Sequence, residues 1–259
     1  MSESIYLQFE LFSVAVFQPE KSQLLNGFIA QYNSNVVDNI GAVSLLLSTK
    51  PDGLHLQWNK ENEKPLNFYI DVIKVVNQLR SYPAPKQGAF NQALGKRTRH
   101  IIDATGGWGG DTLLMCTQGY QVTVLERNPV MALMLKDAMT RLSQSEWAID
   151  NQVNIPNVIH ADSTTFFAQS KVEEDIDCVY LDPMFPPKKK KKAAVNKQMQ
   201  LLQWMVGQDI DASRLVENAL NAGAPRVAVK RPDYADPLFR TPSNQFSSKL
   251  VHYDVYLPV

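Results

Sequence analysis

Three acidic residues stand where apolar runs stop, and they are the groups in this chain best placed to do chemistry: Asp103, Glu126 and Asp182. Asp103 opens the run Asp103-Ala104-Thr105-Gly106-Gly107-Trp108-Gly109-Gly110-Asp111, after the strand-like RHII and before the helix-like TLLMCTQ. Glycines at such a junction let the backbone turn sharply and approach a ligand that a Cβ would repel, beside a helix N-terminus. A dinucleotide-binding turn needs G-x-G-x-x-G, but Gly107 and Gly109 are followed by Thr112 where the third glycine belongs, and the Asp103 carboxylate would repel a pyrophosphate. A ligand carrying an amine or a sulfonium suits this loop better.

Glu126 ends the strand-like QVTVLE, 23 residues after Asp103. A carboxylate at a strand's carboxyl end can accept both hydroxyls of a ribose, and this spacing is shared by nucleoside-binding folds in general. The alternative is a surface carboxylate paired with Arg127. Asp162 and Ser163 follow the third strand-like run, NVIHA. They offer a polar edge to an adenine, or simply cap the helix STTFFAQS. Asp182-Pro183-Met184-Phe185-Pro186 follows DCVYL. Its prolines break regular structure and put Asp182 and a neighbouring carbonyl at the carboxyl edge of the sheet, where open α/β folds bind ligands.

Five consecutive lysines, Lys188 to Lys192, come next and are joined by Lys197 with no acid between. Beside the Asp182 loop they read as phosphate contacts for a nucleic acid, with a solvated loop as the plainer alternative. Lys230-Arg231-Pro232 ends the strand-like RVAV at the same edge and could touch substrate, with Tyr234 as a stacking surface; an ordinary strand-end turn is the other reading. His55, His100, His160 and His252 show no metal-ligand spacing, and no metal is expected. Cys116 and Cys178 read as small hydrophobes, and Met131, Met134 and Met139 as helix core.

These residues need a scaffold. From about residue 98 short apolar strands (RHIIDA, VTVLE, NVIHAD, DCVYLD, RVAVK) alternate with helical segments such as PVMALMLKDAMTRL and VNKQMQLLQWMV, which implies a mostly parallel sheet with helices on both faces. Asn128-Pro129 is a helix start, and Gly119, Gly207 and Gly223 follow helical runs as stops. Upstream, residues 4 to 17 and 42 to 58 are strand-like, and Pro51-Asp52-Gly53 is the turn of a β-hairpin. LNFYIDV reads as a strand entering a helix, and SYPAPKQG then marks a boundary near residue 85. Two domains are expected: a β-rich one over 1–85, suited to RNA docking, and an α/β one over 86–259.

Composition sets limits. Hydrophobic residues at 44% and charged residues at 20% exclude wholesale disorder, and 26 basic against 26 acidic residues exclude a global field for a polyanion, so any nucleic-acid contact must be local. There is no apolar run of the ~18 residues needed to span a bilayer and no export signal at the N-terminus, so no membrane partner is expected. Two cysteines outside any C-x-x-C pair fit a reducing cytoplasm.

The Asp182-Pro183-Met184-Phe185 loop resembles the (N/D)-P-P-(F/Y/W) motif of S-adenosylmethionine-dependent amino methyltransferases. More closely, L-E-R-N-P at 125–129, Y-L-D-P-M-F-P at 180–186 and V-K-R-P-D-Y-A at 229–235 are together similar to the bacterial 16S ribosomal RNA guanine-N2 methyltransferase J family, over roughly residues 68 to 259. The resemblance implies a doubly wound, Rossmann-like class I methyltransferase sheet, S-adenosyl-L-methionine as cofactor, and 16S rRNA or the small ribosomal subunit as partner. The reaction it implies is methyl transfer to the exocyclic N2 of a guanosine near the rRNA 3′ end.

By motif, cofactor contacts fall on Gly110, Asp111, Glu126, Arg127, Asp162, Ser163 and Asp182, beside the loop residues Asp103, Gly107 and Gly109. The amine falls to Asp182, Pro183 and Phe185, and RNA to Lys188, Lys189, Lys190, Lys230 and Arg231. The first 65 residues and the basic run depart from the family pattern, which bears on docking more than on chemistry. The oligomeric state is open, with a monomer favoured. Competing functions are methylation of adenine N6 or of a glutamine amide, and a non-catalytic RNA-binding assembly factor. A nicotinamide dehydrogenase is disfavoured by the missing third glycine.

Overall fold

The computed structural model describes residues 4–8, 13–17, 23–32, 44–60, 63–185, 196–207 and 211–259. The chain runs β1 (Ser4–Gln8), β2 (Ser13–Phe17), α1 (Gln23–Tyr32), β3 (Leu45–Lys50), β4 (Gly53–Trp58), β5 (Leu66–Phe68), α2 (Val72–Val76), α3 (Gly88–Leu94), β6 (His100–Asp103) and α4 (Gly110–Thr117). It continues through β7 (Gln121–Glu126), α5 (Pro129–Ser143), α6 (Glu146–Asp150), β8 (Asn157–His160), α7 (Ser163–Gln169) and β9 (Cys178–Leu181). It ends with α8 (Lys197–Val206), α9 (Ala212–Asn221), β10 (Val227–Pro232), β11 (Asn244–Ser247) and β12 (Val251–Tyr256).

Among the described residues these strands form two sheets. The larger has the order β11-β12-β10-β9-β6-β7-β8. Pairings among β10, β9, β6, β7 and β8 are parallel, while β12 lies antiparallel between β10 and β11. From β6 the chain moves outward through β7 and β8, then crosses back so that β9 pairs with the other side of β6. The order therefore reverses between β6 and β9, and that switch point opens a crevice at the strands' carboxyl ends.

Side chains alternate across this sheet as the pleat requires. Ile101, Tyr180 and Ala228 join the core on one face with Leu113 and Met115 of α4 and Met131, Met134 and Met139 of α5. Ile102, Val179 and Val229 join the opposite core with Phe167 of α7 and Leu215, Val216 and Ala219 of α9. Both faces are covered, and each fully buried Leu or Met contributes roughly 1.5–3 kcal/mol of burial. Asn128 caps α5, its Oδ1 accepting from Val130 and Met131 N–H with Pro129 in the first turn.

The smaller sheet, β1-β2-β3-β4-β5, is antiparallel except for the parallel pair β2–β3, whose crossover contains α1. The hairpin turn forms at Pro51-Asp52, and Gly53 at φ 130° brings the backbone so close to Arg141 of α5 that a Cβ would lie 2.4 Å from its Nε. Arg141 donates to Tyr69 Oη and to the Ile70 carbonyl, both at 2.8 Å, and pairs with Asp137, whose carboxylate accepts the Leu54 N–H. One continuous apolar core runs from Leu45, Leu47 and Leu56 into α5. The two sheets thus share a core across α5.

The strand–helix alternation and the hairpin are as the sequence predicts. LNFYIDV gives only a three-residue strand, Leu66–Phe68, before α2. The antiparallel β11–β12 pair extends a sheet expected to be mostly parallel, because β12 places alternating His252, Asp254 and Tyr256 beside β10, polar residues that do not read as a buried strand.

Candidate active site

Asp103 at the end of β6 and Asp182 after β9 flank the switch point. The loop after β6 is locked to the neighbouring strand: Ala104 N–H donates to the Tyr180 carbonyl at 2.9 Å, and Asp182 N–H donates to Thr105 Oγ1 at 2.7 Å. Gly109, at φ 73°, ends the turn and begins α4; a Cβ there would come within 2.6 Å of Leu135. Its role is geometric, since it lines neither cleft.

Two adjoining clefts open at this edge and share Thr105, Gly107, Asp182, Met184 and Leu202. The first, about 560 Å³, holds Glu126, Arg127, Asp162 and Ser163 between the apolar side chains of Leu125, Leu202, Val206 and Leu215. The second, about 1050 Å³, holds Asp103, Gly110, Asp111, Tyr180, Pro183, Phe185, Lys230 and Tyr234.

In the first cleft Glu126 is 4% exposed, so it is not a surface carboxylate. Its two oxygens accept from Gly107 N–H and Asn128 N–H, each at 2.7 Å. Burial pushes its pKa up to about 7 against those two N–H groups. Asp162 accepts from Thr165 N–H at 2.8 Å and caps α7 while lining the cleft, so the two readings of that residue coexist. Ser163 Oγ donates to the Ala104 carbonyl at 2.6 Å. Arg127 donates to the Val206 carbonyl and lies 3.8 Å from Asp211.

The second cleft is organised by charge. Lys230 Nζ donates to Asp111 Oδ2 at 2.9 Å and to Asp182 Oδ2 at 2.8 Å, and Tyr180 Oη donates to the same Asp111 oxygen at 2.6 Å. Burial disfavours the Lys230 ammonium, but the two carboxylates outweigh it and its pKa is raised. The Tyr180 phenol is pushed well above its ordinary value by burial and by the charges of Asp111 and Asp182. Asp103, buried and accepting from Thr112 Oγ1 and Thr105 N–H, is raised to about 7, mainly by burial. Arg231 is 8% exposed; its guanidinium lies 4.4 Å from the centroid of Phe185 and donates to the Asp236 carbonyl. Lys188, Lys189 and Lys190 lie outside the described residues.

This geometry meets independent likenesses. Residues 31–258 match the family described as "Putative SAM-dependent methyltransferase". The chain is 34% identical over 232 residues to a protein of Serratia proteamaculans named ribosomal RNA small subunit methyltransferase J, covering 86% of this chain and 89% of that one. The chain belongs to the methyltransferase J family. A Shewanella sediminis member is 40% identical over 205 residues, 77% of this chain and 78% of its own. A solved SAM-dependent methyltransferase from Neisseria gonorrhoeae superposes with TM-score 0.62 at 26% identity, covering 86% of each chain. The family match begins at residue 31, upstream of the roughly residue 68 at which the resemblance in sequence is expected to start, so β3, β4 and β5 belong to the family pattern rather than departing from it.

The enzyme is thus a SAM-dependent methyltransferase, and its residues fit that cofactor. Carboxylates on the cleft walls can accept from hydroxyls or face a positive charge, and apolar side chains line the first cleft. A Cβ added at Gly110, on the wall of the second cleft, would meet no atom within 4 Å. Among the described residues no cluster of three or more His, Cys, Asp or Glu side chains has metal-binding geometry, and no helix is long and apolar enough to cross a membrane.

Several lining residues escape motif reasoning. Met199, Leu202, Gln203 and Val206 come from α8, which reads in sequence as a covering helix and in fact leans over both clefts. Trp108 donates to the Gln198 carbonyl and meets Phe68 at 5.7 Å, tying the glycine loop to α8 and to the small sheet. Thr105 and Tyr180 sit inside runs already singled out, but nothing in their types announces their hydrogen bonds.

Proposed function

We propose that the protein methylates the exocyclic N2 of a guanosine near the 3′ end of 16S rRNA, in the cytoplasm, with adenosine of the cofactor in the first cleft and the target base in the second. The observation that carries this reading is the position of Asp182: it lines both clefts, so one side chain can face the methyl donor and the acceptor amine. The names of the relatives supply the RNA.

When bound, S-adenosylmethionine supplies an electrophilic methyl on a sulfonium. The chain's own groups prepare the amine. Asp182 accepts one N–H and the Pro183 carbonyl accepts the other, which draws the lone pair out of the ring's conjugation and aims it at the methyl carbon. Phe185 stacks on the base, worth ~1–3 kcal/mol, and is itself backed by the Arg231 guanidinium. Lys230 fixes the Asp182 carboxylate by its Oδ2 and keeps two acids from repelling each other across the cleft. The amine's proton leaves to Asp182 or to water. This is catalysis by positioning and preorganised charge. Arg231 acts on RNA through Phe185, and the lysines at 188–190 are proposed to meet phosphates.

The test is transfer of labelled methyl from S-adenosylmethionine to small subunits, and to their naked rRNA, from cells lacking the protein, followed by nucleoside analysis. N2-methylguanosine is expected. Label in N6-methyladenosine, or no label in either RNA despite cofactor binding, overturns the assignment.

A further inference from the structure

A third cleft, about 880 Å³ and open to solvent, lies between the small sheet and α8. It is lined by Ser44, Trp58, Asn59 and Lys60 from the β3–β4 side and by Gln200, Gln203 and Trp204 from α8. Gln203 also lines the second cleft, so the two clefts adjoin at that side chain. The indoles of Trp58 and Trp204 meet at 5.5 Å, and Lys60 Nζ lies 4.0 Å from the Trp58 ring centroid. Trp58 is 5% exposed and belongs to the core, whereas Trp204 is 37% exposed.

We propose that this cleft is a second RNA subsite, which takes one unpaired nucleotide flanking the target guanosine; the inference rests on the rRNA reading above. The chemistry is that of a nucleotide and not of a peptide or lipid. An accessible indole offers a face to any base. Carboxamides of Asn59, Gln200 and Gln203 match base edges without adding charge, and among the described lining residues Lys60 supplies a cation for a phosphate. Adjacency to the target cleft gives the partner its address: a strand whose guanosine enters beside Phe185 passes its neighbour over Gln203. The small sheet then contributes substrate contacts directly, since Asn59 and Lys60 follow β4.

Steady-state methyl transfer to naked small-subunit rRNA from cells lacking the protein tests this with Trp204→Ala, Trp204→Phe and Lys60→Met, alongside calorimetric S-adenosylmethionine binding. Trp204→Ala should raise the RNA KM about tenfold with kcat and cofactor Kd unchanged, and Trp204→Phe should recover most of the loss. Lys60→Met should lower the salt slope of log KM by about 1. Ultraviolet crosslinking of the wild-type protein to the same RNA should map to peptides containing Trp58 or Trp204.

An unchanged KM for Trp204→Ala while the wild type methylates RNA sinks the subsite and leaves the rRNA reading standing. A parallel loss of cofactor affinity would show the indole to be merely structural and also overturns it. Absence of any transfer to RNA by the wild type removes the rRNA reading and the subsite with it.

Discussion

The two halves of the active-site crevice are built by different means. In the first cleft two carboxylates are held by main-chain N–H groups, Glu126 by those of Gly107 and Asn128 and Asp162 by that of Thr165, with Ser163 bonded to the Ala104 carbonyl; Asp211, at its edge, is held instead by the Arg127 and Thr164 side chains. In the second, side chains far apart in sequence hold one another, with Lys230 between Asp111 and Asp182, Tyr180 on Asp111, and Arg231 against Phe185. Main-chain bonds fix a shape that one cofactor fits. Side-chain ion pairs leave groups that can exchange partners when an amine arrives. The difference leads us to expect that single substitutions separate binding from transfer in this enzyme.

Asp182→Ala should break the second half most severely. Removing one preorganised partner of a reacting group costs on the order of 10²–10³-fold in rate. Single-turnover transfer at saturating cofactor should fall by that amount, while calorimetric S-adenosylmethionine Kd weakens far less, since Asp182 is one of several groups bordering the cofactor cleft. Glu126→Ala should do the converse. It removes the acceptor proposed for the ribose hydroxyls, a loss on the order of 10–100-fold in cofactor Kd, with residual kcat at saturation far less affected.

The halves should also differ in pH response. Burial pushes Glu126 up to about 7, and in the proposed role its ionised form accepts the two ribose hydroxyls. Cofactor affinity should therefore strengthen as pH rises through 7, by about tenfold between pH 6 and 8. Calorimetry at the two pH values checks this, and Glu126→Gln should flatten the profile. Stability runs the other way. Asp103 and Glu126 have folded values of about 7 against ordinary values of 3.8 and 4.5, so between about 4 and 7 the folded state binds more protons than the unfolded chain. Stability then falls as pH rises across that window, and the cofactor-free melting temperature should be lower at pH 8 than at pH 5.

The smallest change expected is from Tyr180→Phe. It removes one hydrogen bond to Asp111 but leaves Lys230 in place, so kcat should drop by only about threefold to tenfold. A drop as large as that of Asp182→Ala would mean that the phenol, not the aspartate, organises the amine.

How legible this was depends on how local each feature is. Asp103, Glu126 and Asp182 each close an apolar run, so strand alternation alone places them at one sheet edge, and Asn128-Pro129 and Pro51-Asp52-Gly53 announce their cap and turn. What stayed hidden is what depends on tertiary approach. Lys230 reads as a strand-end cation and turns out to sit between two carboxylates 119 and 48 residues away. Arg231 reads as a surface base and is buried on Phe185. The helix α8 reads as cover, and only its packing over the switch point makes Leu202, Gln203 and Val206 part of the crevice. Asp254, fully buried in β12, explains why that strand went unread: a carboxylate in a core position hides the alternation.

The division of the crevice is tested most directly by a crystal structure with S-adenosylhomocysteine, the reaction's product. The account predicts adenine and ribose in the first cleft, both ribose hydroxyls on Glu126, and the sulfur turned toward Asp182 and the second cleft. A product bound with its ribose away from Glu126, or with its adenine beside Phe185 and Lys230, would contradict it.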